Sequence, residues 1–580
     1  MPVHNADIAR VFEAIADLLD IQEANPFRVR AYRNAARTVG ELQLDLAALV
    51  AKGAPLPKLP GIGADLSAKI HEIAASGKCA LLERLQRELP PAITELLHIP
   101  GLGPKRVRTL WHELEIQTLE QLARAARDGR IRGLAGFGPK TEARVLQAVR
   151  QQQSKATRFK LAVAAQYAQS YASWLRQSPG VAQVEVAGSF RRMRETVGDL
   201  DILVAGGDAG AVIERFTGYG EVAQVVSSGS TRAAVRLRSG LGVDLRVVPQ
   251  QSYGAALHYF TGSKAHNIAI RKLGQARGLK INEYGVFRGT QRVAGETEES
   301  VYRSVGLPFI PPELREDRGE IEAAREGRLP HLVEAGDLRG DLHVHTQWSD
   351  GHGTIAQMAQ AAARRGLQYI AITEHSRRLA VAHGLDPVRL LQQGREIERI
   401  NRELAGITVL KGIEADILED GSLDMPESAL DALEIVIGAV HSRFDLSRAR
   451  QTERVLAALE RPRLHILAHP TGRMIGVREP YDIDMAAVIR KAAEKGVALE
   501  LNAHPERLDL LDTHCRMAKD AGVPVAVNSD AHSELEFDNL QFGIGQARRG
   551  WIEAPDCLNA RTLAELRRWL VARNPLKPRP

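Results

Sequence analysis

The sequence has little cysteine and no long hydrophobic run. Only three cysteines occur among 580 residues, too few for the disulfide framework of a small secreted protein or for a thiolate metal cluster. No apolar run approaches the roughly 20 residues that span a bilayer, and acidic residues interrupt the apolar pattern of the N-terminus. We therefore expect no membrane segment and no signal peptide, but a reduced, cytoplasmic, monomeric protein of several domains.

Charge and histidine are unevenly distributed along the chain. Residues 339–580 contain 32 Lys and Arg against 34 Asp and Glu, so the first 338 residues hold the whole positive excess. A basic surface is typical of proteins that bind nucleic acid, although an excess of this size is weak support by itself. Eleven of the 18 histidines lie in residues 339–580, which indicates a metal centre in that part.

A short glycine pattern occurs three times near the N-terminus. Helical sequence follows each copy, so each predicts a glycine turn that leads into a helix N-terminus. Such a turn leaves backbone N–H groups uncovered, and these attract phosphate. A lone copy would usually be an ordinary turn between helices, but three copies with lysines nearby favour contact with a phosphate backbone. The residues are Gly61 and Gly63; Gly101, Gly103 and Lys105; and Gly136, Gly138 and Lys140.

Acidic residues on two predicted strands form the first candidate catalytic site. Asp199 and Asp201 alternate along one strand and share a face, and Asp244 lies on another strand. For Asp-x-Asp alone, a solvated pair at a strand end would be the better interpretation. Three carboxylates can instead hold two Mg²⁺ ions about 3.5–4 Å apart, which activates a 3′-hydroxyl and stabilises a leaving pyrophosphate. Gly188 and Ser189 precede them in a turn that suits a triphosphate.

Strand-like runs and helices alternate in two different patterns. Residues 155–315 predict an α+β domain, with strands at 181–187, 200–204, 233–237 and 243–248. Charge, Gly and Pro at 313–338 are typical of a linker. From Gly340 onward about seven apolar strands alternate with helices, which predicts a parallel barrel of TIM type. The predicted strands are 341–345, 369–373, 408–413, 435–440, 465–468, 497–501 and 524–528.

Histidines and acids fall at the ends of these predicted barrel strands. The C-terminal strand ends of such a barrel converge on one face, where active sites lie. Nine nitrogen and oxygen ligands without a thiolate suit Mn²⁺, Zn²⁺ or Fe. A single histidine could be a hydrogen-bonded barrel residue, but chance does not explain the whole set. The candidates are His343, His345, Asp350, His375, Glu414, His441, His469, Asp530 and His532.

The first part of the chain, roughly residues 1–315, resembles the family X DNA polymerases of the nucleotidyltransferase superfamily. The resemblance rests on Gly188-Ser189-Phe190, Gly198-Asp199-Leu200-Asp201, Val243-Asp244 and Tyr259-Phe260-Thr261-Gly262-Ser263. It implies that the three aspartates are catalytic and hold Mg²⁺ or Mn²⁺, with Asp244 as the base toward the primer hydroxyl. It also implies contacts with the incoming nucleotide from Gly188, Ser189, Arg192, Tyr259, Phe260, Gly262, Asn267 and Arg271.

The segment 26–33 resembles the small DNA-binding domain of the same family, and the glycine turns resemble helix-hairpin-helix motifs, which grip DNA backbones without reading sequence. The resemblance implies that Arg28 and Tyr32 contact a 5′-phosphate in a gap. Lys69 aligns with the lysine that forms a Schiff base in lyase-active relatives. Such a lysine needs a lowered pKa, and a plain phosphate contact by Lys69 is at least as good an interpretation.

The second part resembles the polymerase and histidinol phosphatase (PHP) domain, a trinuclear metal phosphoesterase. The resemblance implies a first ion held by His343, His345, Glu414 and Asp530; a second held by Glu414, His441 and His469; and a third held by Asp350, His375 and His532. Arg473 is a candidate contact for the substrate phosphate, with a surface role as the alternative. His352, His383, His465 and His504 are expected not to be ligands, although His504 also ends a strand.

Together the two halves resemble bacterial family X polymerases over essentially the whole chain. We expect an enzyme that fills short gaps in DNA from dNTPs during repair and trims 3′ ends. Cleavage of abasic sites and removal of 3′-phosphates are further candidate activities. The alternatives are a phosphoesterase for small molecules or DNA ends with a non-polymerising DNA-binding half, and a DNA-binding scaffold with silent sites. The expected domains are 1–80 (DNA-binding), 81–155 (helix-hairpin-helix), 156–250 (palm), 251–315 (base-pair-binding), 316–338 (linker) and 339–580 (PHP).

Overall fold

The computed structural model describes residues 3–42, 44–89, 93–99, 102–154 and 158–573. The chain divides into two compact units. The first contains residues 1–159, 217–226 and 235–242, and the second contains the remaining residues. In the described ranges no helix combines the length and the apolar character needed to cross a bilayer.

Short helices build the N-terminal part of the first unit. Phe12 of α1 packs edge-on against Tyr32 of α2, with ring centroids 5.8 Å apart, and both are buried. Asn25 accepts a hydrogen bond from the N–H of Phe27, and Pro26 occupies the first helical position, where a missing N–H costs nothing. The helices are α1 (Asn5–Ile21), α2 (Pro26–Glu41), α3 (Leu46–Ala51), α4 (Ala64–Ser76), α5 (Ala80–Glu88), α6 (Pro104–Leu114), α7 (Leu119–Arg127) and α8 (Pro139–Ser154).

A five-stranded sheet with helices follows, as the α+β prediction requires. The strand order is β2–β4–β7–β6–β5. Strands β2 and β4 are antiparallel and β7 follows β4 in the order, so the strands of the predicted aspartates are neighbours. The elements are β1 (Phe159–Lys160), α9 (Leu161–Arg176), β2 (Val181–Val186), α10 (Gly188–Arg191), β3 (Thr196–Val197), β4 (Asp199–Gly206), α11 (Ala209–Thr217), β5 (Val222–Ser228), β6 (Arg232–Leu237) and β7 (Gly242–Val248).

Three helices and a small antiparallel sheet form the next layer of the second unit. Its strand order is β10–β9–β8. Ile270, Val286, Val301 and Tyr302 are fully buried in its core. The elements are α12 (Tyr253–Thr261), α13 (Lys264–Gln275), β8 (Lys280–Asn282), β9 (Gly285–Arg288), β10 (Gln291–Ala294) and α14 (Glu298–Ser304).

The segment 316–338, which the sequence predicts to be a linker, is folded onto this layer. Helix α15 (Glu320–Arg325) lies within it, and Ile321 and Ala324 belong to the same buried core as α14. Its charged residues find partners inside the fold: Glu320 is fully buried and lies 2.6 Å from Nδ1 of His266. A charged composition therefore does not indicate a linker here, because the charges are paired.

Seven parallel strands in sequential order form the C-terminal barrel, which confirms the predicted architecture. The N–H of His345 donates to the carbonyl of Ala531 (2.8 Å), so the first strand approaches the end of the last and the barrel nearly closes. The strands are β11 (Gly340–Val344), β12 (Tyr369–Ile372), β13 (Thr408–Asp416), β14 (Ile435–Ala439), β15 (Ile466–Leu467), β16 (Ala498–Asn502) and β17 (Val525–Asn528).

Helices follow the barrel strands and cover them. All residues of β11, β12, β14, β16 and β17 are buried, which explains why apolar runs identified them in the sequence. The helices are α16 (Ile355–Arg364), α17 (Pro387–Glu403), α18 (Glu427–Leu430), α19 (Arg448–Leu459), α20 (Met485–Lys495), α21 (Asp512–Asp520), α22 (Leu540–Arg549) and α23 (Leu563–Ala572).

Candidate active sites and metal centre

The three glycine turns each lead directly into a helix, as predicted. Helices α4, α6 and α8 begin one residue after Gly63, Gly103 and Gly138. Gly61 and Gly136 have φ of +65° and +81°, which an L side chain rarely adopts. A Cβ at any of these five glycines would meet no atom within 4 Å, so their backbones are accessible to a phosphate.

The structure does not fully describe two residues of the predicted glycine motifs. Gly101 lies outside the described residues, and the side chain of Lys140 is not described. The side chain of Lys105 is exposed on the first turn of α6.

The residues expected at a 5′-phosphate lie in the first unit. Arg28 is exposed at the start of α2, whereas Tyr32 is buried, and Lys69 hydrogen bonds to Asp65 on α4. Burial lowers the pKa of Lys69, but Asp65 and the nearby Tyr32 outweigh it and raise the pKa above the usual lysine value. Tyr32 and Lys69 are thus neighbours, and Lys69 is a charged group rather than a neutral nucleophile.

The three predicted catalytic aspartates lie on neighbouring strands β4 and β7. Asp199 is exposed, while Asp201 and Asp244 are half-buried. Burial raises the pKa of Asp201 to about 7, and the charges of Asp199 and Asp244 add to this effect. The pKa of Asp244 is raised by burial and by Asp199. The three carboxylates therefore repel each other, and a cation between them would remove that cost.

Gly188 lets the backbone pass directly beside this carboxylate group. Its φ is +65°, and a Cβ there would lie 2.3 Å from Oδ2 of Asp201. The N–H of Ala187 donates to the carbonyl of Asp201 (2.7 Å) and fixes the approach. Ser189 follows at the start of the short helix α10, so the turn and the aspartates form one site.

Arg192, expected at the triphosphate, is bound to the protein in this structure. Its Nε lies 3.1 Å from Oε1 of Glu316, and its Nη1 donates to the carbonyl of Thr261. Arg549 of α22 shares the same oxygen of Glu316 at 2.9 Å. A nucleotide would therefore have to compete with Glu316 for Arg192. No sequence pattern pointed to this carboxylate.

The residues expected beside the sugar and base lie together on α12 and α13. Tyr259 and Phe260 are half-exposed, with their rings edge to face at 5.1 Å. The side-chain amide of Asn267 donates to the carbonyl of Tyr259 (2.7 Å), and the guanidinium of Arg271 lies 6.0 Å from the Tyr259 ring. Gly262 has φ of +71°, and a Cβ there would lie 3.1 Å from Nη1 of Arg192.

A buried ion-pair network connects two turns of the candidate nucleotide site, the Gly-Ser turn and the turn around Gly262. Arg191 of α10 donates to both oxygens of Glu298 (3.0 and 2.7 Å) and to Oγ1 of Thr261 (2.8 Å). Arg315 pairs with Glu298 from the other side, and its carbonyl accepts from the N–H of Ser263 (3.0 Å). Glu298 therefore links the Gly-Ser turn to the turn around Gly262. Sequence reasoning missed it.

All nine predicted metal ligands converge at the C-terminal ends of the barrel strands. Glu414 lies at the centre: its oxygens are 3.2 Å from Nε2 of His441, 3.0 Å from Nε2 of His469 and 2.6 Å from Nδ1 of His375. The remaining ligand atoms surround this group on either side. Three sets of ligand atoms lie within 4.8 Å of one another: His345, Asp350, His375 and His532; His343, His345 and Asp530; and His375, Glu414 and His441.

These sets differ in detail from the expected grouping. His345 belongs to two of them, because its Nδ1 lies 3.9 Å from Asp350 and its Nε2 lies 3.3 Å from Asp530. His375 likewise lies between Asp350 (3.5 Å) and Glu414. The two histidines therefore join the three sets into one continuous cluster.

The cluster contains buried polar atoms that a cation would satisfy. Nε2 of His343, both ring nitrogens of His345 and Oε2 of Glu414 are buried without a hydrogen-bond partner in the described part of the chain. Burial would raise the pKa of Glu414, but the surrounding histidines His375, His441 and His343 hold it well below the usual range. Orphaned imidazole nitrogens around ionised carboxylates fit divalent metals such as Mn²⁺, Zn²⁺ or Fe²⁺.

Buried polar residues behind the ligands, which the sequence reasoning missed, orient them. Oε1 of Glu500 lies 2.7 Å from Nδ1 of His343, which leaves Nε2 directed into the cluster. Oε2 of the same carboxylate accepts from the N–H of His469 (2.7 Å). The amide of Asn502 donates to Oδ2 of Asp530 (2.9 Å). Glu500 and Asn502 alternate at the end of β16. This alternation of polar residues could have identified them in the sequence.

The other histidines and Arg473 lie outside the cluster. Nδ1 of His465 accepts from the N–H of Val436 (3.0 Å), and Nδ1 of His504 accepts from the N–H of Glu506 (3.3 Å). His352 and His383 belong to none of the ligand sets. Arg473 is buried, lies 2.7 Å from Glu195 and donates to the carbonyl of Leu508. Its Nη2 thus serves contacts within the protein, while its Nε is buried without a hydrogen-bond partner in the described part of the chain.

Four family models match the chain: a helix-hairpin-helix domain at residues 3–79, a SAM-like helix-hairpin-helix tandem at 93–151, the DNA polymerase beta thumb at 256–316 and the PHP domain at 341–504. A protein of Bacillus subtilis (strain 168), called DNA polymerase/3'-5' exonuclease PolX, is 39% identical over 98% of this chain and 99% of its own length. The chain belongs to the family X DNA polymerases that carry a PHP domain. This membership confirms the resemblance found in the sequence.

Shorter relatives match part of this family X chain. A probable phosphatase of Thermoanaerobacter sp. (strain X514) is 34% identical over 35% of this chain and 81% of its own length. Another from Syntrophotalea carbinolica is 32% identical over 39% of this chain and 88% of its own length. More than a third of this chain is thus similar to proteins called probable phosphatases.

Proposed function

We propose that this family X enzyme fills short gaps in DNA by template-directed addition of dNTPs and that its PHP barrel trims 3′ ends in the 3′→5′ direction. The observation that carries the proposal is the presence of two complete candidate sites on one chain. One is the Asp199, Asp201 and Asp244 group beside the Gly-Ser turn, and the other is the nine-ligand cluster of the barrel. The Bacillus subtilis relative, named as a polymerase and an exonuclease, supports it.

In the polymerase site the chain's own residues position the nucleotide and the primer. Mg²⁺ or Mn²⁺ held by the three aspartates would supply positive charge to the triphosphate and the primer hydroxyl. Ser189 and the backbone of the turn that begins at Gly188 bind phosphate oxygens, and Arg192 adds a charged contact once it leaves Glu316. Asp244 accepts the proton of the primer 3′-hydroxyl.

In the barrel the nine ligands would hold up to three Mn²⁺ or Zn²⁺ ions, which supply Lewis acidity and a nucleophile at neutral pH. Glu500 keeps Nδ1 of His343 occupied, so that its Nε2 remains a ligand. Asn502 holds one oxygen of Asp530, so that the other faces His343 and His345 at 3.3 Å. The protein thereby keeps the ligands in one arrangement before any substrate arrives.

The DNA substrate that we propose is a gap or nick with a 5′-phosphate. The accessible backbones at the three glycine turns would hold the DNA on either side of the gap. Arg28 and Lys69 would contact the 5′-phosphate as cations. The raised pKa of Lys69 does not favour the lyase activity, which needs a neutral amine.

The test uses a labelled primer on DNA that carries a one-nucleotide gap and a 5′-phosphate, with Mn²⁺, with and without dNTPs. Wild-type protein should extend the primer when dNTPs are present and shorten it when they are absent. Asp199→Ala should lose extension by about 1000-fold or more and keep trimming, and His343→Ala should do the reverse.

Each variant controls for the folding of the other. Unchanged extension in Asp199→Ala would refute the polymerase assignment, and unchanged trimming in His343→Ala would refute the nuclease assignment. Loss of both activities in either variant would point instead to unfolding, which circular dichroism detects.

The probable phosphatases support a second activity of the barrel, the removal of a 3′-phosphate. The same substrate with a 3′-phosphate on the primer tests it without dNTPs, because dephosphorylation keeps every nucleotide of the primer whereas trimming shortens it. Cleavage of abasic sites is the third barrel activity that we propose. A small-molecule phosphatase with a non-polymerising N-terminal half would leave the Asp199 group and the glycine turns without a role.

For the chain as a whole we propose a monomer that acts in the cytoplasm in DNA repair. The proposed domains remain 1–80, 81–155, 156–250, 251–315 and 339–580. Residues 316–338 join the last two, with α15 packed as part of the fold. Limited proteolysis followed by mass spectrometry would test these boundaries.

A further inference from the structure

Arg507 lies at the edge of the ligand cluster of the barrel. It follows β16, and its Nε lies 3.7 Å from Oδ2 of Asp530. That distance is too long for a hydrogen bond, and the same oxygen already accepts from Asn502 at 2.9 Å. The side chain of Arg507 is 21% exposed, so it lies against the protein at the edge of the cluster rather than in open solvent.

The guanidinium of Arg507 donates no hydrogen bond to any residue in the described ranges. A guanidinium has five N–H donors, and those of Arg507 are accessible to a ligand at the edge of the cluster because the side chain is partly exposed. Neighbouring arginines are committed to protein contacts: Arg473 to Glu195 and Leu508, and Arg478 to the carbonyl of Gly472 (2.8 Å). Arg507 is therefore the residue that can offer a fork of donors to a substrate.

The loop that carries Arg507 is fixed at several points. The N–H of Arg507 donates to the carbonyl of His504 (2.8 Å), and the N–H of Asn502 donates to the carbonyl of Asp509 (2.6 Å). The adjacent Glu506 pairs with Lys160, and its carbonyl accepts from the N–H of Ile475 (2.6 Å). The backbone of the loop is thus anchored by hydrogen bonds, while the N–H donors of the Arg507 guanidinium are not used by these contacts.

We propose that Arg507 binds a non-bridging oxygen of the scissile phosphodiester in the PHP site. Its position beside Asp530 places a positive charge where the phosphate meets the ligand cluster. The guanidinium offers N–H donors to phosphate oxygens, which carry negative charge that increases during hydrolysis. This inference rests on the proposed trimming activity, and it assigns to Arg507 the role that the sequence suggested for Arg473.

The experiment measures trimming of a 5′-labelled single strand with Mn²⁺ and without dNTPs. The last linkage is either an ordinary phosphodiester or one of the two phosphorothioate diastereomers, in which sulfur replaces one or the other non-bridging oxygen. Arg507→Ala should lower kcat/KM about 10- to 100-fold on the ordinary linkage. It should have a much smaller effect on the diastereomer whose sulfur replaces the oxygen that Arg507 contacts. Arg507→Lys should recover part of the rate, because it restores the charge but not the fork.

A purely structural role of Arg507 would give a different result. If Arg507 only shaped the cluster, its removal would slow both diastereomers and the ordinary linkage by the same factor, and this result would overturn the proposal. Loss of bound metal from Arg507→Ala, measured by plasma mass spectrometry, would overturn it as well. Arg443→Ala, which removes an exposed arginine from the loop after β14, is the matched control and should keep the wild-type discrimination.

A binding measurement separates this inference from the proposed nuclease function. Calorimetric titration of the metal-loaded protein with dTMP, the product of trimming at a terminal thymidine, requires no turnover. Arg507→Ala should bind dTMP about 10-fold more weakly or worse, and equal binding would refute the contact. If wild-type protein trimmed no better than His343→Ala, the nuclease proposal would fail, while the dTMP titration would still report on Arg507.

Discussion

The two candidate sites differ in how far their own residues balance charge. The polymerase site consists of three carboxylates, in which burial and the charges of Asp199 and Asp244 raise the pKa of Asp201 to about 7, and burial and Asp199 raise that of Asp244. The barrel site combines six histidines with three carboxylates, and the histidines hold the pKa of Glu414 and of Asp530 well below the usual range. The carboxylates of the polymerase site repel each other, whereas in the barrel site the histidines offset much of the carboxylate charge.

This difference indicates how each site acquires its metals. Carboxylates that repel each other gain most when a cation arrives together with a charged triphosphate, so the polymerase site suits ions that enter with the nucleotide. A buried, balanced cluster with orienting residues such as Glu500 suits resident ions. A change at Gly188 affects the polymerase site alone, and a change at Glu500 affects the barrel site alone, so the two sites can be compared separately.

Among residues that support the two sites, the largest effect is expected from Gly188→Ala. The new Cβ would lie 2.3 Å from Oδ2 of Asp201, and the residue has φ of +65°, so both the carboxylate and the backbone turn must shift. Primer extension should fall about 100-fold or more, since a shift of about 1 Å at a catalytic group has effects of that size. Trimming should remain at the wild-type rate. Gly240→Ala, also at positive φ but with no atom near its Cβ, controls for backbone strain.

A smaller effect, on the other side of the comparison, is expected from Glu500→Gln. The amide would retain the shape of the side chain but lose the charge that faces Nδ1 of His343 and the N–H of His469. Metal affinity and trimming should each fall about 10- to 100-fold, and extension should not change. Plasma mass spectrometry after gel filtration measures the bound metal. Full metal retention with full trimming would contradict the role assigned to Glu500.

The sequence predicted the barrel site better than the polymerase site for a physical reason. Parallel barrel strands are buried on both faces, so apolar runs mark them, and a ligand at the end of each run is visible in one dimension. Strand β5 was missed because its side chains are mostly exposed and carry no such pattern. The nine candidate ligands could therefore be predicted from the ends of strands. The buried residues that orient them could be identified only from the fold.

Contacts distant in sequence account for the rest. Glu316 lies 124 residues from its partner Arg192, and Glu298 lies 107 residues from Arg191. Both acids belong to stretches whose charged composition is typical of exposed helices or linkers. No local pattern distinguishes a charged residue that pairs in the interior from one that faces solvent, so the packing of 316–338 could not be read from composition.

The smallest effect concerns protein stability. It tests whether ion pairs stabilise the fold around the polymerase site, in addition to the charges within the site itself. Burial would raise the pKa of Glu298, but Arg315 and Arg191 outweigh it and lower the pKa to about 2. Because the pKa is lower in the folded state, the stabilisation is full above the ordinary glutamate pKa. It is lost as the pH falls from about 4.5 toward 2.

Glu298→Gln removes this ionised partner of two arginines. At pH 7 the melting temperature should fall by roughly 6 °C, from a loss of about 3 kcal/mol at about 2 °C per kcal/mol. The gap between wild type and variant should narrow as the pH falls below about 4.5, because wild type then loses the same charge. Glu326→Gln, on an exposed pair, is the control and should show no gap. A gap that stays constant down to pH 3 would mean that Glu298 stabilises the fold by shape and not by charge.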